Sequence, residues 1–471
     1  MSGASSLYEA LPSATSIRVL VLGPGETDDE DIFCWLLPSD LDQDHEKFPD
    51  STPRPTESIS IATGKTSSGE DRTFLIPFDV DFGFDQPSAQ ASHESRMHPF
   101  QRYEALSYVW GDNSKPRYIF CNGEELFPVT QNLYAALRSL RLPQQGRRLW
   151  IDAICINQAD HEEKGAQIGL MDRVYQQASK VIAFLPLSEQ DAGNILELVP
   201  KVWRAREEYE QKRKERETGM TSQPGDMASL NSVTALETIR IPVAAEEQRG
   251  ITSILQEQQS RRGGGNFLED FGIPPLDSPL WVSWQRLFAS SYFRRIWILQ
   301  EFALGKNLHF WFGSRGERAE LVMLAKHFLA AYGGTQSSEY MSAGSRRDED
   351  DFTELARRAG EGSNNAGKMF TERVFTQDGS IHRRLIDILS TTLGFQATDQ
   401  RDKIYALLGL ALDGAYFAQH VSYAPEETPA KTFTRFARLF IEKGEGHELL
   451  LQAGLEHDQQ LPSWVPVSHT A

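Results

Sequence analysis

The chain has 471 residues, 40% of them hydrophobic, a composition typical of globular proteins and a length sufficient for about three domains. Its 48 basic and 66 acidic residues give a formal net charge of −18. Such an acidic balance argues against sequence-independent binding to nucleic acid and against attachment to an anionic membrane surface.

Cysteine content and hydropathy bear on where the protein works. Its three cysteines, Cys34, Cys121 and Cys155, are too few and too widely spaced for a disulfide framework or a four-sulfur zinc site, so we expect a reducing compartment and no metal. No apolar run approaches the ~18 residues of a membrane helix, and the first residues lack the regions of a signal peptide. We therefore expect a cytoplasmic protein without a membrane span.

The first predicted strands precede a long polar stretch. Apolar, β-prone runs at 17–22 and 32–37 indicate two strands, and residues 38–102 indicate a long surface insertion. Residues 103–112, YEALSYVWGD, are typical of a buried strand that enters a loop.

A hairpin, a helix and a further strand are predicted next. Residues 117–129 predict the hairpin because their Asn-Gly pair favours a tight turn between strands. Thr130 is placed to cap a helix whose apolar residues recur at helical spacing, namely Leu133, Ala136, Leu137 and Leu140. The run from Leu149 to Ile156 predicts a buried strand, in which Cys155 is expected to pack as a small hydrophobe rather than to act as a nucleophile.

The alternation continues with one more helix and strand. Asp160 and Glu163 resemble a capping box that opens a helix with the apolar face Met171, Val174, Tyr175 and Ala178. Residues 180–185, KVIAFL, predict a third buried strand. Strands and helices that alternate at such short spacing indicate a parallel sheet flanked by helices.

The second half is predicted to be rich in helices. Residues 278–304 predict one long helix and 307–313 a strand, whereas 333–380 are rich in glycine, serine and charge and are expected to be mobile. Three further helices are predicted, at 381–393, 401–412 and 427–443.

These patterns divide the chain into three regions. Residues 1–102 hold the N-terminal strands and the polar insertion, and residues 103–313 form an α/β domain with a charged insertion at 186–278. Residues 314–471 form an α-rich region with the mobile segment near 333–380.

Aromatic, carboxylate and amide side chains at strand ends and on one helix are candidates for a functional site: Trp110, Gly111, Asp112, Asp152, Asn157, Gln158, Trp297, Gln300 and Glu301. In open α/β sheets, ligands bind outside the carboxyl ends of the strands, where the residues up to Gln158 are expected. The alternative is that the tryptophans are core residues and that the polar groups cap loops.

Long motifs resemble the heterokaryon incompatibility (HET) domain of filamentous fungi: YEALSYVWGD, NLYAALRSLR, RLWIDAICINQAD with the following EK and MDRVY, PLWVSWQRLFASSYFRRIWILQE, and TDQRDKIYALLGL. The resemblance extends in blocks from about Ile17 to Leu410. It implies a role in fungal non-self recognition, in which HET domains trigger programmed death of fused cells, and an unidentified incompatibility partner protein.

HET domains are in turn similar to TIR domains, so the resemblance implies a TIR-like, flavodoxin-like α/β fold. YEALSYVWG aligns with the first strand of plant TIR domains, YDVFLSFRG, with Gly111 on the glycine and Trp110 where arginine is usual. LWIDA resembles their second strand, FIDD, and places Asp152 on an aspartate.

The third TIR helix carries W-C-L-D-E-L, whose glutamate is catalytic in NAD-cleaving TIR enzymes. Trp297 and Glu301 keep that spacing, with Ile298 and Gln300 replacing the cysteine and the aspartate. The resemblance implies that Glu301 is the catalytic carboxylate of an NAD hydrolase without a further cofactor, and that five residues bind the substrate: Trp110, Gly111, Asp112, Asp152 and Trp297.

The chemistry of NAD hydrolysis agrees with that role. Cleavage of the bond between ribose and nicotinamide passes through an oxocarbenium-like transition state, which one preorganised carboxylate can stabilise. An indole at Trp110 or Trp297 can hold the pyridinium cation through a cation–π contact. This hypothesis requires Glu301 to lie at the mouth of a hollow shared with Trp110 and Asp152.

Alternatives remain for both the residue and the domain. Glu301 could form a surface ion pair with Arg294, and the domain could be a non-enzymatic adaptor that signals by self-association, as many TIR domains do. Asp399, Arg401 and Asp402 are expected to be cap and salt-bridge residues rather than catalysts. Because HET proteins commonly continue well past the motif at Trp464, we expect the chain to be incomplete or unusually short at its C-terminus.

Overall fold

A computed structural model describes residues 7–25, 30–42, 59–61, 74–76, 103–218 except 113, 123 and 124, 271–332 except 276, 349–378, 383–452, 462 and 465. Most of the predicted insertions at 38–102 and 186–278 therefore lie outside the described residues.

The strands are β1 (Ser16–Leu22), β2 (Phe33–Asp40), β3 (Ile59–Ile61), β4 (Phe74–Ile76), β5 (Glu104–Ser107), β6 (Arg117–Cys121), β7 (Glu125–Val129), β8 (Arg147–Trp150), β9 (Lys180–Leu185), β10 (Leu308–Phe312) and β11 (Arg315–Arg318). The helices are α1 (Gln131–Leu140), α2 (Asp152–Cys155), α3 (His161–Ile168), α4 (Met171–Gln177), α5 (Glu189–Thr218), α6 (Pro279–Ala289), α7 (Ile296–Leu304), α8 (Ala319–Tyr332), α9 (Glu349–Asp378), α10 (Leu385–Thr391), α11 (Asp402–Tyr405), α12 (Gly414–Ala418), α13 (Pro429–Glu442) and α14 (Gly446–Gln452).

Nine strands form one mixed sheet in the order β11-β10-β9-β5-β8-β1-β2-β6-β7. The four strands β10, β9, β5 and β8 are parallel, which confirms the predicted α/β class. The sheet is not parallel throughout, because β1 runs antiparallel to β2 and β8, and because β6-β7 and β10-β11 are hairpins. Helical crossovers join parallel neighbours, whereas hairpin loops are short enough only for antiparallel ones.

A buried ion-pair cluster lies at the centre of this sheet. Glu104 on β5 accepts a hydrogen bond from Nη2 of Arg147 on β8 at 3.1 Å, and its other carboxylate oxygen accepts one from Nε of the same guanidinium. Lys180 on β9 places its Nζ 3.7 Å from Glu104. All three side chains are buried, so the carboxylate of Glu104 on the middle strand contacts a basic group on each of the two neighbouring strands.

The helix predicted after the hairpin is confirmed in detail. The hydroxyl of Thr130 accepts the backbone N–H of Leu133 at 3.3 Å and caps α1. The four apolar residues predicted to share one face are all buried: Leu133, Ala136, Leu137 and Leu140. Local capping and periodicity therefore suffice to place this element.

The strand predicted at 149–156 is wrong in its second half. β8 ends at Trp150, and residues 152–155 form the helical turn α2, in which the N–H of Cys155 donates to the carbonyl of Ile151 at 2.7 Å. The carboxylate of Asp152 accepts the N–H of Ala153 at 2.8 Å, which favours the turn over an extended chain. Cys155 is fully buried, as expected for a small hydrophobe, and burial raises the pKa of its thiol to about 12.

The helix predicted after Asp160 divides into α3 and α4 at Gly169. Asp160 caps α3 by accepting the N–H groups of Glu162 and Glu163, both at 3.0 Å. The expected reciprocal half of the capping box is replaced by a long-range ion pair, because the Glu163 carboxylate lies 2.6 Å from the Arg18 guanidinium.

The structure bears on two predictions for the second half. The helix predicted at 278–304 is divided into α6, a 3-10 turn and α7, because Arg295 is extended and Ile296 donates its N–H to the carbonyl of Gln396 at 2.9 Å. Residues 349–378, within the segment predicted to be mobile near 333–380, form the helix α9, and residues 333–348 lie outside the described chain. Mobility of the segment stays a prediction.

The chain divides into two compact units. The first contains Met1–Ser188, Ser290–Arg318 and Glu361–Ala471 and includes the nine-stranded sheet. The second contains Glu189–Ala289 and Ala319–Gly360 and is helical where it is described. Our predicted domain boundaries remain predictions.

An acidic residue at the start of α5 connects two helices of the second unit. Asp191 accepts a hydrogen bond from Ser283 on α6 at 2.7 Å and pairs with Arg286 at 3.0 Å.

Among the described helices of the protein, none is both long enough and apolar enough to cross a lipid bilayer.

Candidate functional site

The parallel strands of the first unit place two of the predicted site residues at one sheet edge. β5 and β8 are parallel neighbours, so the chain leaves both strands at the same side of the sheet. Trp110 follows β5 and Asp152 follows β8, and the indole N–H of Trp110 donates to Asp152 Oδ2 at 2.8 Å. The structure therefore brings together two residues that are 42 positions apart in sequence.

Asp152 is a partly buried carboxyl group with mixed surroundings. Burial raises its pKa, while the nearby Arg295 guanidinium and the hydrogen bond from Trp110 oppose that shift. Arg295 also donates to the carbonyl of Tyr108 at 2.8 Å and lies 6.0 Å from the centre of the Trp110 ring. Arg295 thus reaches both halves of the Trp110–Asp152 pair.

Glu301 lies on the inner side of α7 and is only 4% exposed. Burial raises its pKa to about 8 and the charge of Asp152 adds to the rise, whereas hydrogen bonding with the Ser107 and Tyr175 hydroxyl groups and the charge of Arg295 oppose it. Its Oε2 has no hydrogen-bond partner among the described residues. The carboxyl group is therefore mostly protonated at neutral pH and has one unsatisfied oxygen in the protein interior.

These facts decide two expectations about Glu301. The surface ion pair with Arg294 is wrong, because the Glu301 side chain is buried. The expected position at the mouth of an open hollow is also wrong for this structure, for the same reason, so hydrolysis of NAD at Glu301 would first require a local opening that exposes the carboxyl group. The expected neighbourhood is nevertheless present, since Asp152 is close enough to raise the pKa of Glu301.

Three buried tyrosines, Tyr108, Tyr175 and Tyr292, complete the surroundings of Glu301, and sequence analysis did not include them among the candidate site residues. Tyr292 and Ser107 share a hydrogen bond of 2.9 Å, and Tyr175 donates to the carbonyl of Leu106 at 3.3 Å. The hydroxyl of Tyr108 is buried without a hydrogen-bond partner in the described part of the chain. Tyr108 lies in the motif YEALSYVWGD, which was the one sequence signal near these tyrosines. Buried aromatic residues are usually core residues, so the tyrosines did not stand out as site residues.

We use "acid cluster" for Trp110, Asp152, Arg295 and Glu301 with the surrounding hydroxyl groups of Ser107, Tyr108, Tyr175 and Tyr292. All of these residues belong to the first unit. The cluster combines two carboxyl groups with raised pKa values and one guanidinium. Such perturbed groups mark candidate functional sites, because a fold gains no stability from a buried carboxyl that lacks full hydrogen bonding.

Gly111 and Asp112 follow Trp110 of the acid cluster in sequence, and their observed roles are in the conformation of the loop after β5. Gly111 has a φ of +78°, and a Cβ there would lie 2.8 Å from the side-chain nitrogen of Asn132. Asp112 is exposed and accepts hydrogen bonds from the backbone N–H and the hydroxyl of Ser114, which lower its pKa. Their role as NAD contacts stays a prediction.

Other candidate residues act as structural links. Gln158 donates to the carbonyl of Asp152 at 2.9 Å. Gln300, with its amide in the orientation that satisfies both neighbours, donates to Ala406 at 3.0 Å and accepts from Asp172 at 2.9 Å. For these two amides, the alternative that polar groups hold loops in place describes the structure.

Trp297 has a carboxylate partner of its own. Its indole hydrogen-bonds Asp402, which also accepts the Tyr423 hydroxyl at 2.5 Å. Burial raises the pKa of Asp402, and the positive charge of Lys164 opposes the rise at both Asp402 and Asp152. Asp402 is therefore more than a helix cap, and Lys164 lies near two pairs of tryptophan and aspartate.

The neighbouring charged residues of this motif behave as expected. Arg401 forms an ion pair of 2.6 Å with Asp399 and donates to the carbonyl of Glu427 at 2.8 Å. These contacts join the segment before α11 to the start of α13, so Asp399 and Arg401 are structural.

Two comparisons with known proteins bear on this chain. Residues 103–301 match the family model "Heterokaryon incompatibility protein (HET)". The chain contains a HET domain. The match ends at Glu301, whereas the first unit also includes β1 and β2 before it and α10 to α14 after it.

The HET domain belongs to a chain with a relative in Neurospora crassa. The chain is 25% identical over 397 residues to heterokaryon incompatibility protein 6, OR allele, an alignment that covers 78% of this chain and 53% of that protein. The chain thus spans about half the length of this curated relative. No solved structure matches the chain, and the TIR resemblance stays a prediction.

Proposed function

We propose that this chain is a cytoplasmic effector of non-self recognition and programmed cell death whose HET domain hydrolyses NAD, with Glu301 as the catalytic carboxylate. The HET domain and the name of the Neurospora relative support the biological role. One observation carries the chemical part: the buried Glu301 carboxyl, with an unsatisfied oxygen, lies in the same cluster as Asp152 and Trp110.

The proposed reaction breaks the bond between C1′ of ribose and the nicotinamide nitrogen. Water supplies the new oxygen, so NAD and water give nicotinamide, ADP-ribose and one proton. Glu301 must be ionised to stabilise the oxocarbenium-like transition state. A pyridinium cation close to Glu301 lowers the pKa of that carboxyl, because opposite charge favours the ionised form. Substrate binding is thereby coupled to formation of the catalytic charge.

Trp110 and Arg295 have separate roles in this proposal. The indole of Trp110, fixed by its hydrogen bond to Asp152, offers an aromatic face to the pyridinium. Arg295 offers a positive charge for the phosphates of NAD beside the same ring. Because Glu301 is buried, a local opening must precede binding, and we assign that step to contact with the incompatibility partner or to self-association.

Nicotinamide release by the purified full chain tests the enzyme. We expect Glu301→Gln to lower the rate about 10²–10³-fold, since the amide cannot ionise. Glu162→Gln is the matched control, because Glu162 is exposed on α3, and it should leave the rate unchanged. Equal rates for the Glu301→Gln variant and the parent chain, or no nicotinamide from the parent with and without the partner, would disprove NAD hydrolysis.

A non-enzymatic adaptor is the second candidate, and the hairpin of β6 and β7 favours it. Tyr118 is 56% exposed and Leu126 is 60% exposed, which is unusual for large apolar side chains. Phe120 and Leu126 are register partners, so these apolar side chains share one face of the sheet near its edge. Such a face suits self-association.

Cell killing distinguishes the two candidates. If the domain is an adaptor, Leu126→Ser abolishes killing and lowers the mass of the assembly measured by light scattering, whereas Glu301→Gln kills normally. If the domain is an NAD hydrolase, Glu301→Gln abolishes killing while its assembly is unchanged.

A further inference from the structure

Two of the three cysteines lie side by side in the sheet. Cys34 on β2 and Cys121 on β6 are register partners in a parallel pair, and both are fully buried. Their Sγ atoms are 2.9 Å apart, although 87 positions separate the residues in sequence. This distance is shorter than an ordinary contact between two sulfur atoms and longer than the ~2.05 Å of a disulfide bond.

The backbone around the pair already suits a covalent link. Neighbouring strands lie about 4.7–4.9 Å apart, which falls within the roughly 4.4–6.8 Å between the Cα atoms of disulfide-bonded cysteines. Hydrogen bonds fix the register on both sides, from Phe120 N–H to the Ile32 carbonyl at 2.8 Å and from Asn122 N–H to the Cys34 carbonyl at 3.0 Å. Bond formation therefore needs small side-chain rotations and no change of register.

Cys155 provides an internal comparison. It is equally buried, but its Sγ accepts the backbone N–H of Ile151 at 3.3 Å, within the helical turn α2. Neither burial nor residue type thus distinguishes the pair from Cys155. The difference is the second sulfur.

We propose that Cys34 and Cys121 form a reversible disulfide on exposure to hydrogen peroxide, so that the junction of β2 and β6 is an oxidation-sensitive modification site. One thiol is oxidised by peroxide to a sulfenic acid with release of water. The second thiol attacks that sulfur, the S–S bond forms, and a second water leaves. In balance, two thiols and one peroxide give one disulfide and two waters, and a dithiol reductant reverses the change.

Burial controls the rate of this reaction. The reactive species is the thiolate, and burial raises the pKa of Cys34 well above its ordinary value. Oxidation therefore requires local opening where β2 and β6 pair over only two residues, Phe33 with Phe120 and Cys34 with Cys121. The bond would then link the hairpin of β6 and β7 covalently to β2. The fraction of linked protein would therefore report how often the hairpin opens in the presence of peroxide.

The experiment treats the folded full chain with hydrogen peroxide, alkylates the remaining thiols and counts them by mass spectrometry. We expect three free thiols to fall to one, with a peptide that links residues 34 and 121, and dithiothreitol should restore all three. Cys155→Ser should still form the link, whereas Cys34→Ser should not. The linked protein should unfold at a higher temperature than the reduced protein, because the bond restricts the unfolded chain.

Three results would overturn the proposal. These are three thiols remaining after treatment that oxidises an exposed thiol completely, a link that involves Cys155, and loss of thiols to sulfinic acid without any link. Cys34→Ala is measured beside Cys34→Ser, so that a folding defect caused by a buried hydroxyl group is distinguished from a loss of the chemistry.

Discussion

Replacing Glu301 by glutamine should raise the free energy of unfolding by no more than about 1 kcal/mol at pH 5 and by several kcal/mol at pH 8. Burial raises the pKa of this carboxyl from 4.5 to about 8. Between these values the unfolded chain releases a proton that the folded protein retains, so the free energy of unfolding falls as pH rises, by about 1 kcal/mol or slightly more per pH unit. Glutamine has nearly the same shape and cannot ionise, so the variant does not have this loss.

The measurement is urea unfolding of both proteins at each pH from 5 to 8. The quantity of interest is the stability difference between Glu301→Gln and the parent chain, because other titrating groups largely cancel in it. Glu162→Gln, at an exposed position of α3, should show a small difference that does not change with pH. A difference for Glu301→Gln that is the same at every pH would mean that the carboxyl is ionised in the folded protein, and our account of the acid cluster would be wrong.

The second large effect concerns the ion-pair cluster at the centre of the sheet. We expect Glu104→Gln to lower the free energy of unfolding by about 3–5 kcal/mol, because Arg147 and Lys180 would remain buried without their shared carboxylate. The substitution removes a charge and hardly any volume, so loss of packing contributes little.

A surface ion pair provides the control for Glu104→Gln. Glu208 and Lys212 on α5 lie 2.7 Å apart, but both side chains are about half exposed. Glu208→Gln should therefore cost less than about 1 kcal/mol. If both variants lose the same small amount in urea unfolding, the burial of the Glu104 cluster is not what stabilises it.

Elements with strong local signals could be predicted from the sequence. Thr130 and the periodic apolar residues were sufficient to predict α1, and the mostly apolar runs of β1 and β9 were sufficient to predict buried strands. The parallel arrangement of β5, β8 and β9 followed from their alternation with helices.

Elements decided by long-range contacts could not be predicted in this way. The apolar pattern at 278–304 is continuous, yet the chain is extended at Arg295 because the next residue bonds to the carbonyl of Gln396. Similarly, Glu163 has the spacing of a capping-box residue but binds Arg18, which is 145 positions away. No local window contains either partner.

The sequence predicted several residues of the candidate site, but not their burial or their hydrogen-bond partners. Spacing and resemblance singled out Glu301, Asp152 and Trp110, and the structure places the three in one cluster. Spacing cannot show that Glu301 is buried, since Trp297, one helical turn away, is partly exposed and hydrogen-bonds a different carboxylate. The resulting protonated acid is a property of the fold.

The order of strands has a practical consequence for dissecting this protein. β1 and β2 precede the segment that matches the family model. In the sheet, however, they lie between β8 and β6, with β1 hydrogen-bonded to β8 and β2 hydrogen-bonded to β6. A fragment cut at the family boundaries would leave a gap in the sheet of about 14 Å between β8 and β6, with two unprotected edges facing it. Expression of the minimal domain must therefore begin upstream of Ser16, or the isolated fragment will aggregate through those edges.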